Sequence, residues 1–480
     1  MMATHASPYA GSWYPGERAE LEPMLEHIFE ASAKRTGTEM WPGAMAFVVP
    51  HAGLMYSGGV AAAAYRHIQA ERPRRVFILG FCHRGGRACV ELPDTGAFET
   101  PLGEVKIDVE ALGRLAGNAG FEMAEECDVC DHSVEIQLPL LQYAAPDVVA
   151  VPLYVGRLDE ESRRAAASVL AREFRQGDVL LASTDLTHYG PDFGYLPFPA
   201  DENAQDRISD LDHEAIEAAG SLDAGLFLET LRQSKATVCG YEPVALLLET
   251  LTALGGESIF QKELDYQTSA GISGDTRHSV SYAALAYFRE ESFQADTETR
   301  AALLESARDT LRRLRGDEPG GPAVAAGDSA ALRRKPAVFV SLHHGKELFG
   351  CIGTRPKELT LAEAIPYLTH ASADDPRFPR GRGIPENLDI EVSILTPMKR
   401  VRDWRSFRLG VDGAYLIVGG RCGLLLPQVA GHGIDTPERF LECLSRKIGL
   451  PADAYRDREA KLFVFHAQVF GGNLSGEPGE

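Results

Sequence analysis

Short β-branched runs alternate with Ala-, Leu- and Glu-rich stretches from residue 45 to about 288, and this alternation constrains the possible fold most strongly. Strands separated by helices pair readily in parallel, because the connecting helix carries the chain back across the sheet. The pattern therefore predicts an α/β domain with a substantially parallel sheet. The predicted strands include residues 45–49, 75–79, 148–155, 179–183 and 279–288.

Three of these strands are followed within a few residues by a histidine, namely His51, His83 and His188. Ligand sites of open α/β sheets lie beyond the carboxyl ends of the strands, so the shared position favours a common site. Each histidine taken singly is more typical of a hydrogen-bonded loop residue than of a functional one. Cys239 precedes a helix predicted at 244–251, where a thiolate would lie near the helix N-terminus. It is the candidate anionic metal ligand, and a thiol that merely packs the loop is the alternative.

Charge and composition narrow the range of partners. The 480 residues include 48 Lys and Arg against 69 Asp and Glu, which gives a formal charge of -21 and argues against binding to nucleic acid or an anionic membrane. Apolar stretches are shorter than a membrane span, and no basic segment followed by an apolar one opens the sequence. We therefore expect a cytoplasmic protein. Eight cysteines are too few for a disulfide framework in so long a chain.

The pattern changes after residue 288. A helix is predicted at 297–315, a Gly-, Pro- and Ala-rich loop at 316–331, and short strands at 338–341, 388–395, 414–418 and 463–470. This arrangement is typical of an α+β domain. The predicted organisation is one domain over 1–290, a linker over 291–296 and a second domain over 297–480.

Six blocks of the first domain resemble the Memo family over roughly residues 5 to 288. They are residues 10–15 (AGSWYP), 50–53 (PHAG), 77–83 (FILGFCH), 131–139 (DHSVEIQLP), 183–190 (STDLTHYG) and 239–240 (CG). The family is similar in fold to class III extradiol dioxygenases, which are non-haem iron enzymes that open catechol rings. The resemblance implies the same fold for the first domain.

Carried onto this sequence, the resemblance implies that His51, His83 and Cys239 are metal ligands. Asp185 and His188 would be their neighbours, with His188 as a general acid or base, and His132 would lie beside the site. Three protein ligands leave positions open for substrate and dioxygen, so Fe(II) is the preferred metal. A thiolate ligand also suits copper or zinc.

The second domain resembles the AMMECR-type domain over about residues 297 to 470. The resemblance lies in residues 347–353 (ELFGCIG), 375–378 (DPRF), 388–397 (LDIEVSILTP) and 423–429 (GLLLPQV), and it makes Cys351 a candidate functional residue. Microbial domains of these two types recur together with a radical S-adenosylmethionine enzyme, which the resemblance implies as a partner.

Two classes of function follow for this fused chain. The first is a metal-dependent oxidoreductase, dioxygenase-like and acting on a small, aromatic substrate. The second is a non-catalytic scaffold that binds a ligand or peptide in the same pocket. A hydrolytic metalloenzyme is a weaker third hypothesis, because no bridging carboxylate is evident.

Overall fold

The structure is a computed structural model that describes residues 4–37, 39–124, 129–317, 329–356, 358–378, 383–431 and 433–474. Most of the loop predicted at 316–331 lies outside these residues. The chain forms two compact units, Met1–Arg289 and Glu290–Glu480. The separate linker at 291–296 stays a prediction, and Glu290–Phe293 form a short 3₁₀ helix.

In the first unit strands and helices alternate as far as the third strand, and the unit ends with three consecutive helices and two long strands separated by a short helix. Its strands are β1 (Thr4–Ala6), β2 (Ala44–Val49), β3 (Arg75–Gly80), β4 (Val90–Leu92), β5 (Ala97–Thr100), β6 (Gly103–Lys106), β7 (Phe121–Met123), β8 (Val149–Val155), β9 (Asp178–Ser183), β10 (His188–Tyr189), β11 (Ile259–Thr268) and β12 (Ser279–Arg289). Its helices are α1 (Arg18–Thr36), α2 (Leu54–Glu71), α3 (Val109–Ala116), α4 (His132–Glu135), α5 (Gln137–Ala144), α6 (Glu160–Glu173), α7 (Ala204–Gly220), α8 (Ala224–Ser234), α9 (Tyr241–Ala253) and α10 (Ser269–Ser273).

The main sheet of this unit is mixed. Strands β2, β9, β3 and β8 pair in parallel at its centre, whereas β12 pairs antiparallel with β2, and β4 antiparallel with β8. A separate three-stranded sheet has the order β1-β5-β6. The predicted, substantially parallel sheet therefore describes the four central strands and the β4–β7 pair, whereas the late strand β12 joins the sheet as an antiparallel neighbour.

Three adjacent central strands determine where the candidate site lies. Every residue of β2, β3 and β9 is buried, as expected for strands covered on both faces. Val49 is in register with Ser183, and Leu79 with Ala182, so the three carboxyl ends reach the same edge. The small residues that follow His51 predict a helix from residue 60, but this helix begins at Leu54, because a backbone hydrogen bond from Leu54 to the Trp13 carbonyl anchors its first turn.

The second unit consists of two four-stranded antiparallel sheets with helices. Its strands are β13 (Val338–His344), β14 (Glu347–Gly353), β15 (Leu388–Leu395), β16 (Lys399–Val401), β17 (Gly413–Val418), β18 (Arg421–Leu425), β19 (Lys461–Phe465) and β20 (Ala467–Asn473), and its helices are α11 (Thr297–Arg315), α12 (Leu361–Ala373) and α13 (Pro437–Lys447). The sheet orders are β14-β13-β15-β20 and β16-β19-β17-β18. The single strand predicted at 463–470 is instead two strands that belong to different sheets, and the chain passes between the sheets at His466.

No helix among the described residues is long and apolar enough to cross a membrane.

Candidate metal centre

His51 lies at the end of β2 and is 2 % exposed. Its backbone N–H donates to Asp185 Oδ1 over 2.8 Å, and its Nδ1 lies 3.1 Å from the hydroxyl of Ser183. The Gln137 amide also donates to this hydroxyl, over 2.9 Å. Burial, and then the nearby His83, lower the pKa of His51 to about 3. A neutral imidazole held through Nδ1 leaves Nε2 available to a metal.

His83 follows β3 and is held by the carboxylate of Asp131. Its Nδ1 lies 2.8 Å from Oδ1, and its backbone N–H donates to Oδ2 over 3.0 Å. Asp131 also accepts from the backbone of Ser133 and thereby caps helix α4. Its pKa is lowered because these hydrogen bonds and the charge of His132 outweigh the cost of burial. A carboxylate on Nδ1 orients a ligating imidazole and makes its Nε2 more basic.

His132 lies within a stack of rings above His83. Its ring centroid is 4.1 Å from that of His83 at an interplanar angle of 22°, and 4.1 Å from that of Trp13 at 31°. Burial lowers the pKa of His132 to about 4, although Asp131 opposes this effect. His132 is therefore neutral at physiological pH. A neutral imidazole suits a metal ligand and also suits a ring that only stacks beside the site.

Cys239 reaches the same place from the turn before α9. Its sulfur lies 3.2 Å from His51 Nε2 and accepts the backbone N–H of Asp185 over 3.3 Å. Burial first, and Asp185 second, raise the pKa of the Cys239 thiol. The sequence favoured a thiolate stabilised by the helix N-terminus, but burial outweighs that effect, because the sulfur has lost most of its water.

Asp185 is buried and uses one oxygen to hold the loop that carries His51. Its Oδ1 accepts the backbone N–H groups of both His51 and Ala52, over 2.8 and 3.3 Å. Burial raises the pKa of this carboxylate, and the charge of His188 opposes that rise. These contacts suit a group that positions the loop.

His188 lies in β10 with its Nδ1 held between two backbone carbonyls. Nδ1 lies 3.0 Å from the oxygens of both Leu186 and Thr237. Because carbonyls only accept hydrogen bonds, Nδ1 carries a proton, and in the neutral imidazole Nε2 carries the lone pair. This tautomer is the one that a general base requires.

Among the residues that the structure describes, two groups of potential metal donors meet at His51. One consists of His51, His83 and His132, and the other of His51, Asp185 and Cys239, with the donor atoms of each group within 4.8 Å of one another. The three residues expected as ligands are thus divided, with His83 in one group and Cys239 in the other. All six expected site residues lie at this edge of the sheet or on the strands and loops that end there.

Sequence reasoning did not identify the residues that support these side chains. Ser183 and Gln137 hold His51, Asp131 holds His83, and Trp13 covers His132. Residues 10–15, 131–139 and 183–190 were singled out as motifs, so these three blocks contained the signal. The contacts between these supporting residues and the three histidines depend on the fold, and the sequence pattern does not reveal them.

A model of the Memo-like protein family matches residues 5–286 of this chain, which is more than half of its length. The chain belongs to the Memo-like protein family. An AMMECR1 model matches residues 304–470, so the Memo-like chain also carries an AMMECR1 domain. Both family resemblances that the sequence suggested are thereby confirmed.

Curated relatives of this Memo-like chain match its first unit. A MEMO1 family protein of Thermococcus onnurineus is 34% identical over 289 residues, which cover 58% of this chain and 97% of the relative. A MEMO1 family protein of Methanopyrus kandleri is 32% identical over 295 residues, with the same coverage of both chains.

Two solved structures are also similar to parts of the Memo-like chain. An uncharacterized protein of Pyrococcus horikoshii has 31% sequence identity and a TM-score of 0.33, covering 36% of this chain and 92% of its own. An uncharacterized protein of Escherichia coli has 13% identity and a TM-score of 0.35, covering 50% of this chain and 99% of its own.

Proposed function

We propose that the first unit is a metal-dependent oxidoreductase of the class III extradiol dioxygenase-like fold, with Fe(II) held by His51, His83 and Cys239. The single observation that carries this proposal is the meeting of two donor groups at His51. Iron in a site with open positions supplies redox chemistry with dioxygen, and copper or zinc also suits this donor set.

The choice of ligands rests on what the other donors already do. Asp185 Oδ1 is occupied by two backbone N–H groups, and His132 is held between two rings. His51 and His83, in contrast, each have Nδ1 hydrogen-bonded to an oxygen and Nε2 left for coordination. Cys239 already approaches His51 Nε2. We therefore assign His132 and Asp185 to positioning, and His188 to proton transfer.

Exposed apolar side chains near the site support a small aromatic substrate. Met55 and Tyr56, in the first turn of α2, are 73 % and 44 % exposed, and Phe193 contacts the His188 ring at 5.3 Å between centroids. Exposed apolar side chains close to polar donors are typical of binding sites. The same feature favours the second candidate function, a scaffold that binds a ligand or peptide without turnover.

The ligand set is tested by anaerobic metal analysis of the full chain. We expect His51→Ala, His83→Ala and Cys239→Ala to lose the bound metal, and His132→Ala to retain it. Cys422→Ala, at an exposed thiol, and His27→Ala, on the exposed face of α1, are matched controls. If His132→Ala loses the metal and Cys239→Ala retains it, the site is a three-histidine site. Negligible metal in all of the proteins, the wild type included, would contradict a metal function.

The reaction is tested separately with the iron-loaded full chain. Oxygen consumption across a panel of catechols supports the oxidoreductase, and it should disappear in His188→Gln while the metal remains. A scaffold would consume no oxygen but would gain thermal stability with its ligand. A radical S-adenosylmethionine enzyme is proposed as the partner, and its co-purification with the tagged full chain tests that part of the proposal.

A further inference from the structure

A cavity of about 410 Å³ lies between the two sheets of the second unit. Its floor comes from β13, β14 and β15 and includes Cys351. Its opposite wall comes from β18, the turn that follows it and the end of α13, including Leu424 and Lys447. The cavity belongs entirely to the second unit and has no part in the candidate metal centre.

The walls of this cavity combine an apolar surface with an excess of positive charge. Phe339, Leu348, Leu424, Leu425, Leu426 and Val429 supply the apolar surface. Three cationic side chains, Arg377, Lys346 and Lys447, face one carboxylate, Glu391, among the lining residues. A ligand with an apolar body and a negative end would match both properties.

Lys447 is the cation best placed to receive an anion. Its ammonium donates to the Leu424 carbonyl over 2.9 Å, and it forms no ion pair with any carboxylate of the described residues. Loss of water around the ammonium, and then the charge of Arg377, lower the pKa of Lys447. Arg377 is paired with Asp375, over 2.6 Å, and its guanidinium also donates to the backbone carbonyl of Cys351. A bound anion would relieve the repulsion between these two cations.

Gln428 gives an independent indication of a ligand. Its amide N–H group donates to Glu391 Oε1 over 3.2 Å and to the Ser393 hydroxyl over 2.8 Å, which determines the orientation of the amide. Its Oε1 is buried and has no hydrogen-bond partner among the described residues. A buried carbonyl oxygen without a donor costs free energy, so a ligand N–H or O–H that reached it would bind favourably.

Cys351 lies on the floor of the cavity as a hydrogen-bonded thiol. The Ser341 hydroxyl donates to its sulfur over 3.2 Å. Burial raises the pKa of Cys351, although Ser341, Arg377 and Lys447 oppose this rise. The thiol is therefore protonated at neutral pH and offers a soft, polarisable contact.

We propose that this cavity binds a small organic carboxylate whose apolar body also carries an N–H or O–H donor. The carboxylate lies at Lys447 and Arg377, the apolar body packs on Leu424 and its neighbours, and the donor reaches Gln428. The site is separate from the proposed oxidoreductase function and does not depend on it.

Calorimetric titration of the full chain with indole-3-acetate tests this site, because the probe combines a carboxylate, an aromatic body and an N–H group. Two analogues separate the contributions: indole-3-acetamide lacks the charge, and naphthalene-1-acetate lacks the N–H donor. We expect saturable binding of indole-3-acetate and at least tenfold weaker binding of each analogue. Removal of metal with a chelator should leave these affinities unchanged, which separates this site from the first unit.

Matched variants on one helix locate the site. Lys447→Gln should weaken indole-3-acetate binding at least tenfold. Arg446→Gln, an exposed neighbour paired with Glu442, should change it less than twofold. Bound indole-3-acetate should also slow the alkylation of Cys351 by iodoacetamide, measured by mass spectrometry, and leave the exposed Cys422 unaffected. Absence of saturable binding by all three probes, or binding that is the same in Lys447→Gln, would overturn the proposal.

Discussion

The Nε2 atom of His51 lies 3.2 Å from the sulfur of Cys239, although 188 positions separate the two residues in the chain. The contact exists because β2 and β9 are neighbours, and the turn before α9 packs on the loop after β9. Gly240 N–H donates to the Thr184 hydroxyl over 2.8 Å and holds that turn in place. The two strongest candidate ligands are thus joined by a tightly packed backbone.

This packing predicts that Gly240→Ala weakens the metal site. A Cβ atom at Gly240 would collide with the Ser183 carbonyl and lie 2.6 Å from Thr184 Cβ. We expect a loss of about 1 to 3 kcal/mol in the free energy of unfolding, because the backbone of the turn must move away from residues 183 and 184. Metal binding should weaken as well, because this turn carries Cys239.

Gly113→Ala is the control for that change. Gly113 lies in helix α3, and an added Cβ would meet no described atom within 4 Å. This substitution should stabilise the first unit by about 0.5 to 1 kcal/mol and leave metal content unchanged. Chemical denaturation measures the free energy of unfolding of Gly240→Ala and Gly113→Ala, and metal analysis measures how much metal each variant binds. Equal metal affinity in the two variants would contradict a role for the Gly240 turn in placing Cys239.

Asp131→Asn tests the carboxylate that holds His83. Asparagine still caps helix α4, but the negative charge that Asp131 places beside His83 Nδ1 is lost. We expect metal affinity to fall about 10- to 100-fold with little change in thermal stability. Asp147→Asn, at an exposed position, is the control. Competition with a chromogenic chelator measures the affinity, and an unchanged value in Asp131→Asn would argue that His83 does not bind the metal.

The ring stack predicts a fluorescence signal for metal binding. Trp13 stacks on His132, which stacks on His83, so a paramagnetic ion at the site should quench the indole of Trp13. Addition of Cu(II) to the metal-free chain should lower tryptophan emission in the wild type and in Trp404→Phe, which lies in the second unit. Trp13→Phe should lose the signal while binding the metal. Full quenching in Trp13→Phe would place the ion elsewhere.

The stability of the second unit should depend on the protonation of His466. Burial lowers its pKa, but hydrogen bonds to Asp412 and Glu290 outweigh this effect and raise the pKa to about 9. The Arg408 guanidinium also lies 2.9 Å from its Nε2. Since this value exceeds that of the unfolded chain, the charged imidazole stabilises the fold fully below about pH 6.5. That stabilisation is lost as the pH rises through 9.

His466→Gln measures this contribution. We expect the variant to lose up to about 3 kcal/mol of unfolding free energy below about pH 6.5 and to approach the wild type above about pH 9. His370→Gln, at an exposed position of α12, should match the wild type throughout. Thermal unfolding across this pH range provides the comparison. A difference that does not vary with pH would show that His466 acts by packing alone.

Local sequence patterns predicted much of the fold. Helix Thr297–Arg315 and strand Leu388–Leu395 have the predicted bounds, because capping residues, turns and periodicity are local. The misplaced start of α2 and the division of residues 463–470 into two strands depended on contacts with distant segments, which periodicity does not reveal.

By itself the sequence determined the family, the positions of several strands and helices, and the placement of histidines after strand ends, because strand ends and motifs are encoded locally. Tertiary structure alone decided that His83 and Cys239 approach His51 in separate groups, that His132 is enclosed between rings, and that burial raises the pKa of the Cys239 thiol. These outcomes depend on distances and on exclusion of water, which arise only when strands far apart in the chain pack together.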